Sequence, residues 1–491
     1  MESIFSSVKQ PSVVKISRSY PVSVTLAFEQ DFGDILAVTA RAFLQDTTCG
    51  DGVVKIKGLT LFNILYKEEG KLCHHESGAQ FTFDIENSNA NQGCVGDIKV
   101  TANDVVYKKG ESGVEVSAQI LVEGYLYLPQ EVTFLSDVDG ATVKKERRDM
   151  LNYVGGCASS LEISDEKNFN FFIEKVICHN EGVKVISATA GVNEIVVEGE
   201  IFSELIFLLK SGEVFSENIV TPFKRELDCE LASPQYTAGV SIQVCERAFK
   251  VSANEEENSS QLEVDYFVRA FSVLFEKTAV NSVIDCFSCT NEVLLETNEV
   301  RYIANENTQI FKDKRFGEGD VKFEINQKII STAFPTVEIA SYNNESGSLK
   351  ITGVVACVAI SKVDNGEIVC TQAQFPFASS FETDGEVLNV VATVKNVTVR
   401  NLDGKCLAEW ELEFTALIKS EQTATDLTAV TEGQERKQKQ SAISVVFINK
   451  GDDLWAVCKK ALASEQVILS DNPGTTFPAK EDRAVVVYRK L

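Results

Sequence analysis

Most hydrolytic and metal chemistry at neutral pH relies on histidine, and cysteine can act with it as a nucleophile or a metal ligand. The chain has only three histidines, and two of them belong to the triplet Cys73-His74-His75. The run from Lys67 to Lys71 just before it is typical of a hairpin turn. Because adjacent residues on a strand point to opposite faces, one metal ion would have difficulty binding all three side chains. We interpret the triplet as the exposed start of a strand.

A second cysteine pattern, Cys286 and Cys289, has the spacing of a redox pair or of half a zinc site. Zinc needs two more ligands, and the sequence contains no second Cys-x-x-Cys. The sequence also lacks glycine-rich phosphate-binding motifs, the nucleophile-elbow serine motif of hydrolases and the zinc-binding motif of metalloproteases. The sequence therefore favours a protein that is not an enzyme and uses no cofactor. We rank a thiol or metal enzyme acting through Cys286 and Cys289, or through Cys73 and His74, below the two binding functions that are described at the end of this section.

Composition limits the partners and the compartment. Lys and Arg number 47, Asp and Glu number 72, and the net charge is −25. This charge argues against nucleic acid and anionic lipid as main partners, because both need a basic surface. No apolar stretch is long enough to predict a membrane span, and the N-terminus lacks the apolar segment of a secretory signal. We expect a soluble protein in a reducing cytosol, with most of its 13 cysteines as free thiols.

Three segments share one pattern of apolar and polar residues. Each has an alternating strand, an interior glycine, a strand that is apolar on both faces, a polar turn and a return strand. The interior glycines are Gly58, Gly199 and Gly353, and we expect a bulge or bend at each of them. A second pair of alternating strands follows each hairpin, at 97–107 with 113–128, at 240–251 with 261–275, and at 387–399 with 406–419.

These repeats predict the domain organisation. The spacing of the three glycines matches the length of a domain rather than of a solenoid repeat. We expect a mainly β protein with three tandem β-sandwich or meander domains at residues 1–140, 150–295 and 305–420, joined by polar connectors. The first connector, near 143–149, is compatible with a short helix. Residues 421–440 have few large apolar side chains, which predicts a flexible polar linker.

Residues 441–491 break from this pattern and predict a small βααβ domain. A strand at 443–448 leads to a turn, after which Asp452 or Asp453 can cap a helix by accepting hydrogen bonds from its first free N–H groups. Ser464 can cap a second helix, and residues 484–488 return as a strand. The first helix carries an apolar stripe at Leu454, Val457, Cys458, Ala461 and Leu462.

The tail resembles a LysM domain. The residues that carry the resemblance are Gly451-Asp452-Asp453-Leu454-Trp455, Ile468-Leu469, Asn472-Pro473 and the valine-rich last strand. The sequence departs from the LysM pattern at Asp453, at Cys458 and at residues 480–482, where threonine, alanine and Pro-Gly-Gln are usual. LysM domains bind N-acetylglucosamine polymers such as peptidoglycan in a shallow groove. In LysM-containing proteins of the bacterial spore coat, the domain can bind protein instead. The resemblance implies a site made by Gly451, Asp452, Asp453, Leu454 and Trp455 together with Leu469, Ser470, Asp471, Asn472 and Pro473.

Two of these residues have an alternative role within the fold. Leu454 belongs to the apolar stripe and can equally be a core residue. Trp455 lies next to the stripe, so it can be exposed as a binding hot spot or pack against the closing strand.

The three N-terminal repeats resemble the SPOCS repeats of endospore coat proteins. With a polar linker and a terminal LysM domain, they resemble the SipL-type coat morphogenetic proteins of spore-forming bacteria. The resemblance implies a non-enzymatic scaffold, made in the mother-cell cytosol, whose LysM domain docks it to the coat morphogenetic ATPase at the forespore surface. It also implies contacts with other coat proteins as the coat encases the spore. The alternative is a cell-wall protein whose LysM domain binds peptidoglycan or chitooligosaccharides, against which the absent export signal counts.

Overall fold

The computed structural model describes residues 1–27, 34–91, 94–110, 113–209, 213–254, 258–345, 347–436 and 442–488. Within these ranges the chain is mainly β, as predicted, with twenty strands and two short helices. The first six strands are β1 (Glu2–Ala27), β2 (Asp34–Gly50), β3 (Val53–Glu68), β4 (Lys71–Glu86), β5 (Val95–Lys109) and β6 (Gly113–Asp139). The next six are β7 (Thr142–Phe169), β8 (Ile173–Ala190), β9 (Glu194–Leu209), β10 (Val214–Asp228), β11 (Thr237–Asn254) and β12 (Ser259–Phe287).

The remaining elements complete the chain. Six more strands are β13 (Asn291–Lys322), β14 (Lys328–Glu345), β15 (Ser348–Lys362), β16 (Ile368–Glu382), β17 (Glu386–Leu402) and β18 (Lys405–Glu435). The last elements are β19 (Ile443–Ile448), α1 (Leu454–Ala461), α2 (Glu465–Asp471) and β20 (Arg483–Tyr488). We call β1–β6 unit 1, β7–β12 unit 2, β13–β18 unit 3, and residues 442–488 the tail module.

The same strand order occurs in all three units. In unit 1 the sheets are β1-β6-β5 and β2-β3-β4, and units 2 and 3 contain the corresponding sheets β7-β12-β11, β8-β9-β10, β13-β18-β17 and β14-β15-β16. The paired strands are antiparallel, and the alternating pairs expected from the sequence are β5 with β6, β11 with β12, and β17 with β18. Both sheets of a unit contribute buried side chains to one apolar core, so each unit is a small sandwich.

The interior glycine of each repeat lies where three strands come very close. Gly199 pairs with Phe223 on β10, and the facing strand β8 has a bulge between Val185 and Ser187. A Cβ atom on Gly199 would lie 2.5 Å from the Phe223 ring and 2.6 Å from the carbonyl oxygen of Lys184. The expected bulge is therefore present on the neighbouring strand, and the glycine leaves room for it. Gly58 with Phe81 and Gly353 with Phe377 repeat this arrangement.

The three units pack around a common centre. One buried apolar cluster contains side chains from the sheets β2-β3-β4, β8-β9-β10 and β14-β15-β16, one sheet from each unit. Its members Leu65, Ile206 and Ile360 each lie seven residues after the interior glycine of their own strand. The cluster explains why the second half of each of these strands is apolar on both faces: one face lies in the sandwich of its own unit and the other meets the neighbouring units.

The first and last strands of each unit extend beyond the sandwiches as paired ribbons. These are residues 2–12 with 128–139, 142–153 with 275–287, and 291–305 with 420–435. We call the three ribbons together the stem. Two apolar clusters hold the ribbons together, and the outer cluster contains Leu135, Val138, Val283, Cys286, Leu427 and Val430.

The stem differs from the expectation for the connecting segments. Residues 421–435, expected as part of a flexible linker, form the end of β18, and 143–149, compatible with a helix, belong to β7. Both segments are polar along their length, but each pairs with another strand and places a few side chains inside the stem, including Leu427 and Asp426. The pairing strand comes from more than a hundred residues away, so a local reading of hydrophobicity does not detect it. The rest of the expected linker, 437–440, lies outside the described residues.

Candidate functional site

The tail module has a core of its own. Ile448, Val457, Cys458, Ile468 and Val485 are among its buried residues. Its two helices are capped by side chains, because Asp453 accepts a hydrogen bond from the N–H of Ala456 at 2.7 Å and Ser464 accepts one from Val467 at 3.4 Å. Of the two residues expected as the first cap, Asp453 is the one used.

The loop before α1 is held by its own hydrogen bonds. Gly451 donates its N–H to the carbonyl of Ala479, and Ala479 donates back to the carbonyl of Asp452, at 2.8 and 2.9 Å. The Asp452 carboxylate accepts from the N–H of Asn449 at 3.0 Å and from Lys460 Nζ at 2.6 Å. The hydrogen bond from Lys460 lowers the pKa of Asp452. These residues therefore fix the shape of the loop, and Leu454 packs half-buried against the tail core.

Trp455 faces the stem rather than solvent. Only 7% of the residue is exposed. Its Nε1–H donates a hydrogen bond to Asp285 Oδ2 at 2.7 Å. The rings of Trp455 and Phe287 also pack edge to face, with their centroids 5.3 Å apart. Lys459, one turn later on α1, reaches both oxygens of Asp285 at 2.9 and 2.8 Å. The tail module is thus docked on the end of the second stem ribbon.

The loop after α2 is open on one side and fixed on the other. Leu469 is 45% exposed, and Ser470 and Pro473 are exposed as well. Asn472 spans to β20, where it accepts from the N–H of Val486 at 2.8 Å and donates to its carbonyl at 2.7 Å. Asp471 accepts from the N–H of Tyr488 at 2.8 Å. Asn472 and Asp471 therefore close the module, while Leu469, Ser470 and Pro473 are the accessible part of the loop.

The ten residues expected to form a site divide into four groups. Asp452, Asp471 and Asn472 hold backbone in place, and Trp455 is covered by the stem. Leu454 is half-buried against the tail core. The accessible residues are Gly451, Asp453, Leu469, Ser470 and Pro473.

An exposed apolar face on the tail sheet was not expected. Ile443, Val445 and Phe447 project from β19 with Tyr488 beside them on β20, and Phe447 is 77% exposed. Because β19 reads as apolar on both faces, the sequence pattern is typical of a buried strand. The structure places one of these faces in the open.

The cysteine and histidine groups do not form an activated site. His74 is buried and hydrogen-bonded to Asn63 at 2.9 Å, and burial lowers the pKa of His74 to about 3. Burial raises the pKa of the Cys73 thiol and raises the pKa of Cys286 to about 11, which favours the unreactive thiol. Cys289 is exposed, and its thiol contacts the carbonyl of Leu462. Over the described ranges of the chain, no three His, Cys, Asp or Glu side chains are grouped to hold a metal ion.

Residues 31–109 match the family model described as SipL, SPOCS domain. The matched range contains β2 to β5, and with them Gly58, its partner Phe81 and the bulge opposite them. The match supports a relationship to SipL-type proteins and connects the chain to sporulation. No curated protein and no solved structure matches the chain. In the described part of the chain, neither helix has the length and hydrophobicity needed to cross a membrane.

Proposed function

We propose that this protein is a non-enzymatic scaffold of endospore coat assembly, built from three SPOCS-type domains and a LysM-type tail. The observation that carries the proposal is the match of residues 31–109 to the SPOCS domain model, together with the recurrence of that segment's design in units 2 and 3. Each unit repeats the strand order, the glycine that faces a phenylalanine on one neighbouring strand, and the bulge in the strand on its other side. Three copies of one domain in a single chain suit a protein that joins other proteins together.

We assign docking to the tail module. It has its own core and an accessible loop at Leu469, Ser470 and Pro473. Its sequence is nearly neutral, whereas the rest of the chain carries almost all of the −25 net charge. An acidic body keeps a scaffold soluble before assembly, and a neutral module can approach a partner without the same repulsion. The partner proposed is the coat morphogenetic ATPase at the forespore surface, where the protein would act in the mother cell with other coat proteins.

A binding experiment on the full chain tests this function. Wild-type protein is measured by biolayer interferometry against the host's coat ATPase and, separately, by sedimentation with peptidoglycan and titration with chitooligosaccharides. Leu469→Asp puts a charge on the accessible loop, and Leu402→Asp is the matched control because Leu402 is an exposed leucine of unit 3, 57% accessible. We expect saturable binding to the ATPase that Leu469→Asp weakens and Leu402→Asp leaves unchanged.

The other outcomes are distinct. Binding to glycan alone would identify the protein as a cell-wall-binding protein. Binding to the ATPase that is indifferent to Leu469→Asp would move docking away from this loop. Binding to neither would contradict the proposed role of the tail module and direct attention to the three β units.

A further inference from the structure

The tail module docks on the stem through the segment before α1, which belongs to the site implied by the LysM resemblance, and the loop at Leu469 stays exposed. Trp455 and Asp453 belong to the segment 451–455, and both contact the stem: Trp455 through Asp285 and Phe287, Asp453 through Lys144 Nζ at 3.7 Å. A partner that reaches the Trp455 side of this segment must displace the stem.

The docked contact is made by a few groups, most of them polar. It includes one aromatic pair, the Asp285 carboxylate shared by Trp455 and Lys459, the Cys289 thiol on the Leu462 carbonyl, and the longer Lys144–Asp453 pair. The side chains of Asp285 and Lys459 are 26% and 41% exposed, so water and salt screen their attraction. Burial alone would raise the pKa of Asp285, but hydrogen bonds from Lys459 and Trp455 hold it below its usual range. The carboxylate therefore stays charged at neutral pH and keeps Lys459 close.

The tail module does not need the stem for its own core. Among the buried residues of that core, Phe287 is the stem's contribution, and the others come from the module itself. The strand pair, both helix caps and the Asn472 hydrogen bonds also lie within the module. A module with an internal core and a small polar contact can separate from its support without unfolding.

We propose that the stem contact is a latch that covers the Trp455 side of the tail module, and that a protein partner competes with Asp285 and Phe287 for this surface. The latch regulates the partner binding that we assign to the tail module, and this inference rests on that proposed function. In the latched state the loop at Leu469 remains open for a first encounter, and release exposes Trp455 for the full contact. If the latch is open in about a tenth of the molecules, removing it strengthens partner binding about tenfold.

Charge reversal at Asp285 tests the latch directly. Asp285→Lys repels Lys459 and leaves the Trp455 N–H without its acceptor. The double variant Asp285→Lys/Lys459→Asp restores an opposite-charge pair. Asp137→Lys is the matched control, because Asp137 is a carboxylate of the stem paired at 2.9 Å with Lys145, within the stem. Acrylamide quenching reads the latch without any partner, since the chain has 2 tryptophans and Trp410 is fully buried in unit 3.

The expected result is stronger quenching in Asp285→Lys, reversal in the double variant, and no change in Asp137→Lys. Affinity for the coat ATPase should rise about tenfold in Asp285→Lys and return in the double variant. Equal quenching in wild type and Asp285→Lys would overturn the latch. Increased quenching with unchanged ATPase affinity would overturn the competition. Increased quenching with no ATPase binding by any variant would overturn the proposed function, and the competition with it, while the latch contact would stand.

Discussion

Gly199 lies directly across from Phe223, and the phenylalanine ring occupies the space that a Cβ atom on residue 199 would fill. The carbonyl oxygen of Lys184 approaches from the other side at the bulge of β8. A side chain at this position would have to displace both the Phe223 ring and the backbone at Lys184. The ring can move, but the backbone cannot. The same relationship at Gly58 and Gly353 means that the repeat needs glycine for a packing reason.

Gly199→Ala is therefore expected to destabilise the protein by roughly 1–3 kcal/mol or more, the usual cost of overpacking a core. Chemical denaturation would measure the change. Gly239→Ala is the control, since the nearest atoms to a Cβ at Gly239 are 3.9 Å away. Trimming the ring with Phe223→Leu should not rescue Gly199→Ala, because the Lys184 carbonyl remains. A full rescue would contradict the importance of the backbone contact.

A buried ion pair joins two ribbons of the stem. Arg148 Nη2 lies 2.7 Å from Asp426 Oδ1, and their side chains are 9% and 2% exposed. Arg148→Met leaves the Asp426 carboxylate buried without its main partner, which should cost about 3–5 kcal/mol of unfolding free energy. Replacing both, as Arg148→Met/Asp426→Leu, should recover most of the loss because no charge remains buried. Denaturant unfolding measures both variants.

The neighbouring residue supplies the control for that prediction. Arg147 pairs with Asp149 at 3.0 Å, but their side chains are 71% and 79% exposed. Arg147→Met should change stability by less than about 1 kcal/mol, as for other surface pairs. Equal losses of unfolding free energy in Arg147→Met and Arg148→Met would show that the buried pair stabilises the stem no more than the exposed pair does.

Asn472 is predicted to stabilise the tail module rather than to contact a ligand. Its amide bonds the carbonyl of Ile468 and both backbone groups of Val486. Asn472→Ala leaves a part-buried carbonyl and N–H unpaired, so we expect faster hydrogen exchange across β20 and α2, and a loss of about 1–3 kcal/mol of local stability. Ser470→Ala is the control because Ser470 is exposed and makes one local bond to Val467. Unchanged exchange in Asn472→Ala, with lost partner binding, would instead identify Asn472 as a ligand contact.

Glu306 predicts a pH-dependent stability. It lies on β13 with its carboxylate 3.4 Å from the hydroxyl of Tyr127 in unit 1. Burial raises the pKa of Glu306 to about 7, and Tyr127 and Lys419 oppose this only in part. The folded protein therefore holds this proton more tightly than the unfolded chain does. The resulting stabilisation is complete below the ordinary glutamate pKa and is lost as pH rises through about 7.

Wild-type protein should lose about 2–3 kcal/mol of stability from this group between pH 5 and pH 8. Glu306→Gln removes the titration, so its stability at pH 8 should exceed that of the wild type. Thermal unfolding of both proteins across this pH range gives the difference curve. A flat difference between the two proteins would show that Glu306 titrates normally.

Much of the sandwich architecture could be predicted from the sequence, because the relevant signals are local. Alternation identified the pairs β5–β6, β11–β12 and β17–β18, and the glycines at 58, 199 and 353 marked the bulged hairpins. The stem could not be predicted in this way, since β18 pairs beyond residue 420 with strand residues more than a hundred positions earlier. The role of Trp455 was also hidden, because its partner Asp285 lies 170 residues away along the chain.

The shared centre of the three units has a consequence for how this protein responds to dilution. Leu65, Ile206 and Ile360 meet there from three units that belong to one chain. In a ring of separate subunits, the same contact would weaken as the protein concentration fell, and forming it would cost translational freedom each time. Here the ring closes within a single molecule. The melting temperature of the assembled units should therefore be the same at nanomolar and micromolar protein, so the three units stay assembled even when the protein is scarce.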